Sequence, residues 1–149
     1  MRVVLGGTFG PLHDGHKALL SKAFELSEGG EVVIGITSDE MARVRDRAVP
    51  PYNVRAANLM QFIDREFEKE AAIIEIDDPY GVTLSEDFDF LVASEETYQM
   101  SLKINEERRR RGMSEIKIVK VDHVLAEDGR PISSTRIKRG EIDKHGALL

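Results

Sequence analysis

Short runs of consecutive apolar residues alternate along the chain with stretches in which apolar positions recur every three or four residues. Val3-Val4-Leu5, Glu31-Val32-Val33-Ile34-Gly35-Ile36, Ala72-Ile73-Ile74-Glu75-Ile76, Phe88-Asp89-Phe90-Leu91-Val92-Ala93 and Ile116-Lys117-Ile118-Val119-Lys120-Val121 are too short for helices and carry the β-branched content of strands. The second is apolar without a break, as a strand covered on both sides must be, whereas the last alternates like an edge strand. Between them lie helical patterns. One follows His13 with Leu19, Leu20, Ala23 and Phe24 on a single face and stops at Glu28-Gly29-Gly30. A short one starts at Ser38, and a longer one starts near Tyr52 after Pro50-Pro51, with Leu59, Phe62, Ile63 and Phe67 at helical spacing. Ser94-Glu95-Glu96-Thr97 reads as a capped helix start with an acidic first turn, and Glu107 to Gly112 as that helix's end. Strands alternating with helices predict an α/β fold: a doubly wound five-stranded parallel sheet with helical crossovers, Rossmann-like, in a single domain over 1–149.

Such a sheet binds ligands beyond the carboxyl ends of its strands, and there the sequence becomes specific. After the first strand comes Gly6-Gly7-Thr8-Phe9-Gly10-Pro11-Leu12-His13-Asp14-Gly15-His16. Glycines allow backbone to approach a ligand closely, and the free amides and dipole of the following helix start favour an anion. His16 in the first helical turn and His13 just before it can face the same anion. The blander reading, histidines that cap and pack a turn, is outweighed by the agreement of Gly7, Thr8, Gly15 and the strand-loop-helix context. No metal ligands are assigned, because no cysteine or third histidine lies nearby to complete a site. Near the other end, Ile132-Ser133-Ser134-Thr135-Arg136-Ile137-Lys138 offers three hydroxyls at a helix start with two cations behind them, parts suited to phosphate although also those of an ordinary N-cap. One cleft can therefore collect Thr8, His16, Ser94 and Ser133 to Arg136. Arg108 to Arg111 before Gly112 can form a phosphate patch, but a solvated helix end is the better reading of a run of cations there.

Composition narrows the partners. With 27 acidic against 21 basic residues the net charge is -6, which argues against broad contact with nucleic acid. The chain has no cysteine, and so no disulfide or thiolate chemistry. No apolar run is long enough to span a bilayer, and Met1-Arg2 leads directly into the first strand, so a cytoplasmic protein without membrane partners is expected. No exposed apolar helix stands out, and a monomer is expected.

Gly-Thr-Phe followed by His13-Asp14-Gly15-His16 resembles the H-x-G-H signature of the nucleotidyltransferase superfamily, and Ile132 to Lys138 resembles its I-S-S-T-x-I-R/K motif, in the right order. Within that superfamily the chain is similar over nearly its whole length to the archaeal and eukaryotic type of the phosphopantetheine adenylyltransferase family. Gly35-Ile36-Thr37-Ser38-Asp39-Glu40-Met41, Pro51-Tyr52-Asn53-Val54-Arg55, Val92 to Tyr98 and Gly140-Glu141-Ile142-Asp143 carry that closer likeness. The resemblance implies adenylyl transfer from ATP to 4'-phosphopantetheine, giving dephospho-coenzyme A and pyrophosphate, with Mg²⁺ held mainly through substrate and water. It implies His16, Thr8 and, less centrally, His13 as catalytic residues. The nucleotide would be bound by Gly6, Gly7, Thr8, Phe9, His13, Gly15, His16, Ser94, Glu95, Ser133, Ser134, Thr135 and Arg136. The acceptor phosphate would be bound by Thr8, Arg43 and Arg45, with Arg136 a further candidate because no arginine follows the fourth strand. Gly10 departs from the family's usual aspartate. Phe9, Tyr80 and Tyr98 are candidates for the pantetheine arm, each also read as ordinary packing. Transfer to another acceptor (nicotinamide mononucleotide, flavin mononucleotide or a polyol phosphate) and a non-catalytic nucleotide-binding regulator are the competing readings.

Overall fold

The computed structural model describes residues 1–149. Its elements follow the expected alternation except that β3 passes to β4 with no helix between them: β1 (Arg2–Gly7), α1 (Asp14–Ser27), β2 (Glu31–Thr37), α2 (Asp39–Arg45), α3 (Tyr52–Phe67), β3 (Ala72–Ile76), β4 (Phe90–Ala93), α4 (Tyr98–Arg110), β5 (Lys117–Lys120) and α5 (Ser134–Lys138). The five strands form one parallel sheet in the order β3-β2-β1-β4-β5. The unbroken apolar β2 lies inside the sheet and the alternating β5 at its edge, as their patterns predict.

Alternate side chains of the buried strands feed two separate cores. On one face Val3, Leu5, Val32, Ile34 and Ile36 pack with Leu20, Ala23 and Phe24 of α1 and Leu59 and Ile63 of α3. On the other, Val4, Val33, Leu91 and Ala93 meet Ile104 of α4, with Ile116 and Phe88. Helices on both faces explain why these strands read as continuous hydrophobic runs. Phe62 and Phe67 pack against the first core, as core aromatics should. No helix is long and apolar enough to cross a membrane.

The chain reverses its direction of winding between β1 and β4. These strands share only two register pairs, Val3 with Phe90 and Val4 with Leu91, whereas β1 stays paired with β2 through Gly7. Beyond Val4 the two carboxyl ends therefore separate, and the gap is the crevice that this sheet order places at its switch point.

Two expectations change. The helix after β4 starts at Tyr98, and its N-cap Thr97 makes no side-chain capping bond. Ser94 instead closes a turn with Thr97: the Ser94 amide donates to Thr97 Oγ1 at 3.0 Å and the Thr97 amide to Ser94 Oγ at 3.3 Å. The arginine run also divides. Arg108 is buried, donating to the carbonyls of Thr83, Glu86 and Ser114 and to Asp87, while Arg109, Arg110 and Arg111 pair with Glu115 and Glu107 at the surface. Neither a phosphate patch nor a wholly solvated face describes it.

Candidate active site

The crevice between β1 and β4 opens into a cavity of about 600 Å³, within the usual size range of small-molecule sites. Its walls include Gly6, Gly7, Thr8, Phe9, His13, Gly15 and His16 from the first motif. Ser133, Ser134 and Thr135 enter from the second motif, Ser94 from the end of β4, and Thr37 and Arg45 from β2 and α2.

The two histidines are held by the start of α1. His13 is its N-cap, with Nδ1 accepting the Gly15 amide at 3.0 Å, and the His13 amide donates to His16 Nδ1 at 3.2 Å. This is a capping box built from imidazoles in place of the usual hydroxyl and carboxylate. The rings lie 4.0 Å apart between centroids, and Phe9 packs on His16 at 5.1 Å. Gly15 is required by this arrangement, because a Cβ there would meet the His13 ring at 2.7 Å.

Both rings are neutral. Burial lowers His13 to about 4 against a small opposing pull from Asp14, and burial together with the adjacent His13 lowers His16 to about 3. Since each Nδ1 accepts a backbone N–H, the single ring proton of each neutral imidazole belongs on Nε2. The fold thus prepares His16 as a neutral donor.

At the second motif Ser133 caps α5, its Oγ accepting the Arg136 amide at 3.2 Å, and Ser134 Oγ donates to the Pro11 carbonyl at 3.1 Å. The latter bond fastens the start of α5 to the loop after β1, 123 residues away in sequence.

The cytidylyltransferase-like family profile matches residues 4–140, a span that contains both motifs. This chain belongs to that family. It is 54% identical to the phosphopantetheine adenylyltransferase of Archaeoglobus fulgidus over 149 residues, covering 100% of each chain. It is 49% identical to the phosphopantetheine adenylyltransferase of Methanosarcina acetivorans, covering 99% of this chain and 95% of that one. Among solved structures it superposes on a protein of unknown function from Archaeoglobus fulgidus with a TM-score of 0.78 and 51% identity, covering 82% of this chain and 90% of the other.

Not every residue that the motifs of this cytidylyltransferase-like chain single out reaches the cleft. Arg136 does not. Its guanidinium is buried against Asp128 and Glu141 (2.9 Å) and donates to the Pro131 carbonyl at 3.2 Å, closing a small core of Ala126, Ile132 and Ile142. That contact holds the Asp128 carboxyl down at about 2 and raises the guanidinium still further. Lys138, two residues on, does line the cleft, paired with Asp46. Glu95 turns to Lys120 at 2.8 Å, and it is the neighbouring Glu96 that lines the cavity. Arg43 lies outside it, 3.9 Å from Asp39, whereas Arg45 faces in. Phe9 and Tyr80 line the cavity and Tyr98 does not.

Sequence reasoning missed Thr37 and Arg55. Thr37 Oγ1 donates to Thr8 Oγ1 at 3.1 Å, and Arg55, only 1% exposed, donates to the carbonyls of Thr8 (3.1 Å), Thr37 (2.8 Å) and Pro50 (2.8 Å) and to Asp39 (3.0 Å). An arginine on an amphipathic helix ordinarily reads as surface. The only available signal was its place among the segments shared with the phosphopantetheine family.

Proposed function

We propose that this protein transfers the adenylyl group of ATP to 4'-phosphopantetheine, giving dephospho-coenzyme A and pyrophosphate. The observation that carries the reading is the convergence of both phosphate-binding motifs on one crevice at the switch point, in a chain so similar over its full length to proteins of that name.

The acceptor phosphate is already nucleophilic. One of its oxygens attacks the α-phosphorus in line, a new P–O bond forms, the bond to the α,β-bridging oxygen breaks, and pyrophosphate leaves with that electron pair. No protein nucleophile is required, so catalysis rests on alignment and on stabilising charge at the α-phosphate. His16 serves as the donor: its Nε2–H is directed away from the backbone bond at Nδ1 and reaches the non-bridging oxygens, where charge builds. His13 holds the helix start and the His16 ring in place. Thr8 takes the position between acceptor and α-phosphate. The amides of Ser133, Ser134 and Thr135 and the hydroxyls of Ser133 and Thr135 receive the leaving pyrophosphate, with Lys138 as the nearby cation in the role that the motif offered to Arg136. Arg45 is the better placed of the two arginines offered for the acceptor phosphate.

ATP enters as its Mg²⁺ complex. No group of three or more His, Cys, Asp or Glu side chains is disposed to hold a metal ion, which fits an ion carried by phosphate oxygens and water. Bound there, Mg²⁺ would neutralise phosphate charge. Small-molecule substrates, a cytoplasmic setting and a monomer complete the reading.

The test is pyrophosphate release from MgATP with 4'-phosphopantetheine, beside nicotinamide mononucleotide, flavin mononucleotide and glycerol 3-phosphate, with CTP as an alternative donor. Release with phosphopantetheine and ATP is expected. Release only with another pair overturns the acceptor, and ATP binding without release from any pair leaves a regulator.

A further inference from the structure

We propose that the buried Arg55, acting through Thr37, is the positioning residue that fixes Thr8 as a hydrogen-bond donor to the transferred phosphate. The inference rests on the adenylyl-transfer reading for what Thr8 faces, but its geometry is independent of which acceptor is used.

A hydroxyl can donate or accept, and in isolation Thr8 would be free to do either. Here the geometry sets the direction of the bond between the two threonines, with Thr37 donating. A guanidinium has donors only. Its Nη1 lies 3.3 Å from Thr37 Oγ1, so at that contact Thr37 must accept. The single Thr37 hydroxyl proton is then directed to Thr8 Oγ1, 3.1 Å away. Thr8 Oγ1, having accepted, keeps its own proton for the cavity that both threonines line. The chain runs Arg55 N–H to Thr37 O–H to Thr8 O–H to ligand, with a guanidinium that only donates at its head.

Arg55 is itself buried and held on every side. Nε is committed to the Pro50 carbonyl, Nη2 to Asp39, and Nη1 also to the carbonyls of Thr8 and Thr37. It thereby ties the ends of β1 and β2 to each other and to the start of α3. No buried polar side-chain atom in the protein lacks a partner, those of Arg55 included. Gly10 is tied into the same arrangement: a Cβ there would meet Arg55 Cδ at 3.1 Å.

The test uses Thr37→Val, which keeps the side-chain shape and deletes the link, because removing Arg55 itself risks unfolding. Expected is a fall in kcat of about tenfold or more with KM for ATP changed by less than about threefold, and recovery in Thr37→Ser, which restores the hydroxyl. In a Thr8→Val background Thr37→Val should cost nothing further, since the group it positions is gone. A kcat near wild type, or equal losses in both backgrounds, overturns the proposal. Independently of turnover, the crystal structure of Thr37→Val should show Thr8 Oγ1 rotated to another rotamer, since a methyl cannot donate to it. An unmoved Oγ1 overturns the proposal even if every acceptor fails and the adenylyl-transfer reading falls with them.

Discussion

Gly15→Ala separates the stability of the helix start from its chemistry. The new Cβ would lie 2.7 Å from His13 Cε1 and 2.8 Å from Nδ1, where ordinary contact begins at 3.4 Å. The ring must therefore retreat by about 0.7 Å, and in doing so it leaves the Gly15 amide that it caps. Loss of a cap costs about 1 kcal/mol, whereas replacing glycine by alanine in a helix returns up to about 1 kcal/mol. Stability should change by less than about 1 kcal/mol, a shift in Tm of no more than about 4 °C for a chain of this length. The rate should not escape. His13 stacks at 4.0 Å on His16 and donates its amide to His16 Nδ1, so a displacement on this scale is passed to the donor. Misplacement of a catalytic group by about 1 Å can cost on the order of 100-fold. Calorimetry and pyrophosphate release on one preparation make the comparison. A variant with a near-normal Tm and turnover within about threefold of wild type would refute the claim that the imidazole box holds the site.

Three further outcomes are expected. His16 is neutral in the free enzyme, so kcat/KM should show no His16 titration between about pH 5 and 8, once ionisation of the acceptor phosphate is allowed for; a required imidazolium would instead impose about a tenfold fall per pH unit. His13 and His16 have folded-state values below the ordinary 6.5, so in acid the unfolded chain binds protons that the folded chain refuses. The stability they contribute is whole above about 6.5 and is lost as pH falls toward about 4 and 3, and thermal melts should decline across that window less steeply in His13→Asn. Arg136→Met should lower the melting temperature while leaving KM for ATP unchanged, because its partners are Asp128, Glu141 and Pro131; a selective loss of ATP affinity would place Arg136 at the phosphate after all.

The order of strands and helices, the buried course of β2 and the exposed edge at β5 were legible because they depend on the spacing of apolar residues over a few positions, which the backbone periods of strand and helix convert directly into faces. The strand-loop-helix context of the glycines and histidines was legible for a related reason, but the reading set aside there, that the histidines cap the turn, is what His13 and His16 do. Partner choice was not legible. Arg136 and Lys138 are neighbours in one motif, yet one is drawn into the Asp128 and Glu141 pair and the other faces the cleft. Glu95 and Glu96, and Arg43 and Arg45, divide in the same way. For the two helical pairs, a separation of two residues is about half a turn, so which member faces inward depends on where the sheet lies, a fact absent from local spacing. Arg55 shows the limit most clearly. Its burial depends on carbonyls at Thr8, Thr37 and Pro50, which converge only when β1, β2 and α3 are docked. The sequence by itself determined the elements and the two motif loops; tertiary structure alone decided which charges line the cleft and which hold its walls, because a charged side chain commits to whatever opposite charge or carbonyl the folded chain brings within reach.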